Sequence, residues 1–239
     1  VRLEHSVSRI DWDADGVTVH SSQGVHRARH VIVTVPVGVL QSGAVEFEPP
    51  LPEPVDSALW SFRMNDFEKV VLRFEERFWD ADVYAIRRQG AAGDWWHSWY
   101  DLTPLHGVPT LLTFAAGPAA IGTRGLPDAA VADLVLAALR ELYGPAVPAP
   151  IAVHRTAWKD DPWSLGAYSY LTVGADVAEH DRLATPVGGV LQIAGEATWG
   201  DDPATVTAAM MSGHRAAEQA LGESIDISEL WAGLGADSR

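Results

Sequence analysis

Two short, almost unbroken apolar runs constrain what this chain can fold into. Residues 31–35 read Val, Ile, Val, Thr, Val and stop at Pro36, while residues 190–194 read Val, Leu, Gln, Ile, Ala. Strands of this kind are buried on both faces of a sheet, and such a sheet needs helices to cover it. The second run leads through Gly195, Glu196 and a polar loop into a helical pattern beginning at Thr205. The expected class is α/β with mixed α+β character. Ahead of the first run, β-patterned stretches over residues 1–10, 17–20 and 25–28 are separated by Asp15-Gly16 and Gln23-Gly24, both turn formers, and predict a β-meander.

Pro49, Pro50, Pro52 and Pro54 then interrupt the chain, and beyond them Val70, Leu72 and Phe74 alternate with Val71 and Arg73 in a further strand. More strands are predicted over 95–100, 110–115 and 151–157. Between them Val131, Leu134, Val135, Ala138, Leu139 and Leu142 recur at helical spacing, with Asp128 in the first turn and Gly144-Pro145 as the stop. Residues 158–170 read as an aromatic loop. The last helix carries an apolar stripe of Val206, Ala209, Met210, Gly213, Ala217 and Leu221, closed by Gly222.

With 47% hydrophobic and 21% charged residues over 239 positions, the chain has the composition of a globular protein, which excludes disordered, collagenous and coiled-coil classes. No stretch approaches the ~20 apolar residues that span a bilayer, and Val1, Arg2, Leu3, Glu4 and His5 lack the apolar core of a signal peptide, so a cytoplasmic location is expected. A net charge of -15 disfavours nucleic acid and anionic lipid as partners and favours a cationic molecule. The absence of cysteine excludes disulfides, thiolate metal sites and any cofactor tethered through sulfur. No metal is expected: the histidines are scattered, and Asp11, Asp13, Asp15 and Gly16 open like a calcium loop but place Ser22 where a bidentate Glu is required.

The order strand, Gly195-Glu196, loop, helix from Thr205 has a chemical use. A helix start offers unpaired N–H groups and partial positive charge to an anionic or carbonyl-rich group, and Glu196 can accept from a sugar or ribityl hydroxyl. An ordinary βα unit with a surface Glu has the same pattern. Lys69, one of two lysines, leads an apolar strand. It is either a lysine snorkelling to water or a partly buried amine that holds a water or moves a proton. Tyr168 and Tyr170 share one face of an extended segment behind Trp158 and Trp163, as core or as an aromatic wall; Trp95, Trp96 and Trp99 read as core.

Four blocks together resemble the flavin-containing amine oxidase superfamily of monoamine oxidases, polyamine oxidases and lysine-specific histone demethylases. They are residues 31–40; residues 47–52 continuing to 69–74 with Phe78 and Trp79; residues 158–170; and residues 194–198 running through Pro203, Ala204, Thr205 and Val206 to Ser212 and Gly213. The third block is most similar to the demethylase and polyamine oxidase branch. The resemblance implies that Lys69 holds a water near flavin N5, that Tyr168 forms one wall of the cage orienting the amine, and that Trp163 packs against the ring system. It further implies that Gly195 and Glu196 lie at the FAD sugar and ribityl chain, Ala204, Thr205 and Val206 at the flavin's pyrimidine edge, Val7 near the adenine, and Thr34, Val35 and Pro36 along the cofactor.

By this resemblance the protein is an oxidoreductase and flavoprotein. It passes a hydride from an amine to non-covalently bound FAD, leaving an imine and, after reoxidation, hydrogen peroxide. Residues 1–40 and 185–222 are expected to be the remainder of an FAD-binding domain, 41–184 a substrate domain and 223–239 a tail. The family's G-x-G-x-x-G fingerprint is not in this chain, so a missing N-terminal Rossmann half is implied as a partner, with the oligomeric state left open. Ala208 stands where the family often has Gly, suggesting crowding of the cofactor or a neighbouring chain, and Ala167 where monoamine oxidases carry the flavin-linking cysteine. Thr205 replaces their second cage tyrosine, which favours a bulky or extended, polyamine-like amine. The alternatives are an amino-acid oxidase or monooxygenase, using Arg63, Arg87 or Arg88 as carboxylate clamp, and a non-catalytic fragment without cofactor.

Overall fold

A computed structural model describes residues 1–90 and 95–228. In chain order its elements are β1 (Val7–Asp13), β2 (Gly16–Ser21), β3 (Gly24–Ala28), β4 (Val31–Val33), α1 (Val37–Ser42), β5 (Glu46–Glu48), α2 (Val55–Trp60), β6 (Phe62–Met64) and β7 (Phe67–Arg73). There follow β8 (Ala85–Arg87), β9 (Ser98–Asp101), α3 (Thr103–His106), β10 (Thr110–Ala116), α4 (Pro118–Thr123), α5 (Asp128–Tyr143) and β11 (Ala152–Arg155). The chain ends with β12 (Ser169–Leu171), α6 (Glu179–Leu183), β13 (Leu191–Ile193), a 3₁₀ turn (Glu196–Thr198) and α7 (Val206–Leu221). Two compact units result, one formed by Val1–Met64 with Pro162–Arg239, the other by Asn65–Asp161. Residues 41–64 and 162–184, expected in the substrate part, therefore pack in the same unit as the two segments expected to bind the cofactor.

In the first unit β3, β2 and β1 form the expected antiparallel meander, and β5 joins β1 in parallel. Asp13 Oδ1 accepts the N–H groups of Asp15 and Gly16 at 2.8 and 3.2 Å, closing the hairpin. Asp11 pairs with Arg9 and His20, and among the described residues no three His, Asp or Glu side chains converge on a metal position. β4 and β13 are a parallel pair, and β6 and β12 an antiparallel one. Ile10, Val33, Val37, Leu40, Leu59, Phe62, Leu183 and Leu191 share one core.

Three expectations change here. β4 ends at Val33, with Ile32 and Thr34 exposed, so only β13 is buried on every residue. Pro36 does not merely stop a strand; it is the N-cap of helix α1, a use that its fixed φ permits. On α7 the buried row is Ala208, Ser212 and Ala216, one position off the expected stripe, and Val206 and Leu221 are exposed. Small residues at that spacing let the helix approach the chain closely. Ala208 is fully buried within the chain, so its methyl is not exposed to crowd a cofactor or neighbour.

In the second unit β11, β7, β10, β9 and β8 form a five-stranded antiparallel sheet. Helix α5 spans the expected residues, with Asp128 in its first turn and Gly144 at its C-cap. It buries Val131, Val135, Ala138 and Leu139 against Val70, Leu72, Phe74 and Trp99, while Leu134 and Leu142 of the expected stripe are exposed. Each large side chain buried there contributes roughly 1.5–3 kcal/mol. Trp96 and Trp99 are core, as expected, whereas Trp95 is partly exposed. Among the described residues no helix is long and apolar enough to cross a membrane.

Candidate functional site

Where β13 ends, backbone geometry rather than side-chain bulk builds a platform. Gly195 adopts φ 156° and ψ -178°, and an added Cβ there would meet nothing within 4 Å, leaving open space above the main chain. Its N–H donates to Ser212 Oγ of α7 at 2.9 Å and to Thr198 Oγ1 at 3.1 Å. Ala204 N–H reaches Glu196 O at 3.4 Å, so the loop returns to the end of the strand. Thr205 then caps α7: its Oγ1 accepts from Ala208 N at 3.1 Å and donates to Asp202 O at 2.7 Å. Asp202 and Ala204 both hold positive φ, 55° and 63°, which costs roughly 1–2 kcal/mol per residue and persists because these bonds over-determine the loop. The N–H groups of Val206 and Thr207 lie in the first turn, where a helix has no internal acceptor, and both residues are exposed.

Glu196 is braced from the other side. Its carboxylate accepts Ser169 N–H at 3.1 Å and Ser169 Oγ–H at 2.8 Å, gripping the peptide that joins Tyr168 to Ser169. Ser169 is buried, and strand alternation puts Tyr168 and Tyr170 on the opposite face, Tyr168 half-buried and Tyr170 exposed. Glu196 and Tyr168, expected to have separate roles, are thus tied together. The turn after Glu196 is held by its carbonyls: His180 Nδ1 meets Ala197 O at 2.7 Å, and Arg215 donates to Thr198 O, pairs with Asp181 at 3.1 Å and lies 5.1 Å over the Trp199 ring. Trp163 presents 65% of its surface to solvent. Val7 opens β1 half-buried, Thr34 is exposed and Pro36 half-buried at the start of α1.

Lys69 belongs to the second unit. It is exposed on β7, on the face opposite the buried Glu68, Val70 and Leu72, and opposite Phe114 of β10 in register. Thr156 Oγ1 accepts the Lys69 N–H at 2.8 Å, and Thr156 N–H donates to Lys69 O at 3.0 Å. The roles of Ser169, His180, Arg215 and Thr156 had no local signal. Only Glu68 had one, as a carboxylate in the apolar register of β7.

A strand, a glycine with open space above it, a capped helix start with unpaired donors and exposed aromatic residues define an α/β cofactor-binding protein, and these residues fit a flavin: N–H donors for its pyrimidine edge, backbone access at Gly195 and hydroxyl acceptors on Glu196. The family model for flavin containing amine oxidoreductases matches residues 1–221, and the chain belongs to that family. FAD is the cofactor of this family. The chain is 35% identical over 227 residues to human lysine-specific histone demethylase 2, covering 92% of this chain and 28% of that protein. It is 34% identical over 223 residues to lysine-specific histone demethylase 1 homolog 2 of Arabidopsis thaliana, covering 90% and 30% respectively. The fold is shared with putrescine oxidase solved with putrescine (TM-score 0.81, 22% identity, 92% of this chain and 49% of that one). Cyclohexylamine oxidase from Brevibacterium oxydans shares it as well (TM-score 0.72, 22% identity, 90% and 48%). The chain thus spans 28% to 30% of these two curated relatives and 48% to 49% of these two solved chains.

Proposed function

We propose that the protein containing this chain oxidises a bulky or extended amine to an imine, the two electrons and protons removed passing by way of FAD to dioxygen, which leaves as hydrogen peroxide. The reading is carried by the family match over residues 1–221, which takes in the capped helix start, the Glu196 and Ser169 brace and Lys69. When bound, FAD supplies the two-electron acceptor chemistry that protein side chains lack. The chain's own contribution is orientation. Thr205 and the exposed N–H groups of Val206 and Thr207 present donors, Glu196 holds the Tyr168 segment, Tyr168 forms a wall for the amine, and Lys69 holds a water through its ammonium. The net charge of -15 supports a cationic substrate. The dinucleotide fingerprint that binds the pyrophosphate is assigned to a stretch outside this chain, consistent with the share of its relatives that the chain spans.

The identity to histone demethylases supports a second reading of the substrate, a methylated lysine side chain within a peptide. A panel of polyamines, arylalkylamines and methyl-lysine peptides separates the two.

Lys69→Met tests the mechanism in the flavin-loaded protein. It keeps the apolar stem and removes the hydrogen-bonding head, so turnover is expected to fall by roughly 10²–10⁴-fold with flavin content unchanged. Unchanged rates of anaerobic flavin reduction and aerobic reoxidation would make Lys69 a surface lysine and overturn the assignment.

A further inference from the structure

Glu68 has no place in the chemistry described so far, yet it occupies a position where a carboxylate is costly. It is 9% exposed, on the strand face it shares with Val70 and Leu72, both 0% exposed. A buried carboxylate persists only when hydrogen-bonded, and this one is. Thr156 Oγ–H donates to Glu68 Oε2 at 2.6 Å, and Lys159 N–H approaches Oε1 at 3.4 Å. The nearby arginines are engaged elsewhere: Arg155 with Thr123 O, Leu126 O and Asp128, and Arg124 with Asp66.

The Thr156 hydroxyl has a single proton, and with that proton committed to Glu68 its oxygen is free to accept. The donor it accepts is the Lys69 N–H at 2.8 Å, while Thr156 N–H closes the ring on Lys69 O at 3.0 Å. Directly beyond, Asp160 N–H and Asp161 N–H both donate to Ala157 O at 3.0 Å, so the chain turns just after Thr156. Carboxylate, hydroxyl and amide form one relay of fixed polarity from the core face of β7 to the backbone of the residue whose side chain leaves on the other face.

We propose that Glu68 and Thr156 are positioning residues that fix the backbone of Lys69, and through it the place of its ammonium. The inference rests on the reading of Lys69 given above. Thr156→Val keeps the shape and deletes both roles of the hydroxyl, leaving Glu68 Oε2 without that donor, whereas Thr156→Ser keeps both and is the control for the loss of that bond.

Amide hydrogen exchange on this chain reads the backbone without any activity. Lys69 is expected to exchange about tenfold faster in Thr156→Val and at the original rate in Thr156→Ser, with Leu72 unmoved in both. An unchanged Lys69 amide in Thr156→Val overturns the proposal. In the flavin-loaded protein, Thr156→Val is expected to lower turnover about tenfold beside Lys69 and to have no further effect in Lys69→Met. An equal loss in both backgrounds means that Thr156 supports the fold generally, and overturns positioning. A Lys69→Met protein with full turnover would instead remove the role of Lys69, and the exchange result alone would decide whether the relay holds its backbone.

Discussion

The same substitution, Gly→Ala, is expected to have opposite effects at two helical positions, and the structure supplies both signs. In a helix interior Ala is favoured over Gly by about 1 kcal/mol. At Gly213 in α7 an added Cβ meets nothing within 4 Å, so Gly213→Ala should realise that gain. At Gly38, the second residue of α1, the added methyl would lie 2.9 Å from each of three atoms: Leu165 Cβ, Met64 Cγ and Ser164 O. The Met64 side chain can yield, but the Ser164 carbonyl is backbone, and Leu165 already holds a positive φ of 54°. Overpacking of this severity lies toward the upper end of the 1–3 kcal/mol range, so after the helical gain the net loss is about 2 kcal/mol. For a chain of this length 1 kcal/mol moves the melting temperature by roughly 2–4 °C. Gly38→Ala should therefore melt about 4–8 °C lower than the parent, and Gly213→Ala about 2–4 °C higher, by circular dichroism at one scan rate. A Gly38→Ala protein as stable as Gly213→Ala would refute the packing argument for residues 164 and 165.

Ser169→Ala removes the shorter of the two bonds to Glu196 and should lower stability by about 1–2 kcal/mol in urea unfolding, with Ser169→Thr restoring most of it. At Asp101 burial pushes the carboxyl pKa up, but hydrogen bonds from the Thr103 side chain and backbone and the charge of Arg77 outweigh it and hold the pKa below the ordinary 3.8. A depressed folded value means that this contribution is fully present above the unfolded pKa and lost as pH falls through the folded one. The stability deficit of Asp101→Asn relative to the parent should accordingly be largest near neutral pH and shrink in acid. Because the chain has no cysteine to tether a flavin, acid precipitation of the flavin-loaded protein should release all the colour to the supernatant; colour in the pellet would locate another attachment.

Local patterns carried α5 and α7 almost to the residue, because a helix's apolar period, its first-turn acid and its capping residues all lie within a few positions of one another. The turn at Asp15-Gly16 and the alternation along β7 were legible for the same reason, although β1 runs over Val7–Asp13 and not over residues 1–10, and the Gly195 to Val206 segment was legible because strand end, glycine and cap are consecutive. Helix α1 was not, since six residues are too few for a period to show. The buried face of α7 does not follow apolar size: it carries the small Ala208, Ser212 and Ala216, and Ser212 accepts the Gly195 N–H there. The bonds that brace Glu196 and Lys69 join residues far apart in sequence: Ser169 to Glu196 over 27 positions, Thr156 to Lys69 over 87 and to Glu68 over 88. No sequence period relates such partners. A serine hydroxyl and a threonine hydroxyl have the same local preferences whether they face water or a buried carboxylate, and only tertiary packing, by bringing β11 beside β7 and β12 beside the turn after β13, decides which of them binds a carboxylate or a distant backbone amide.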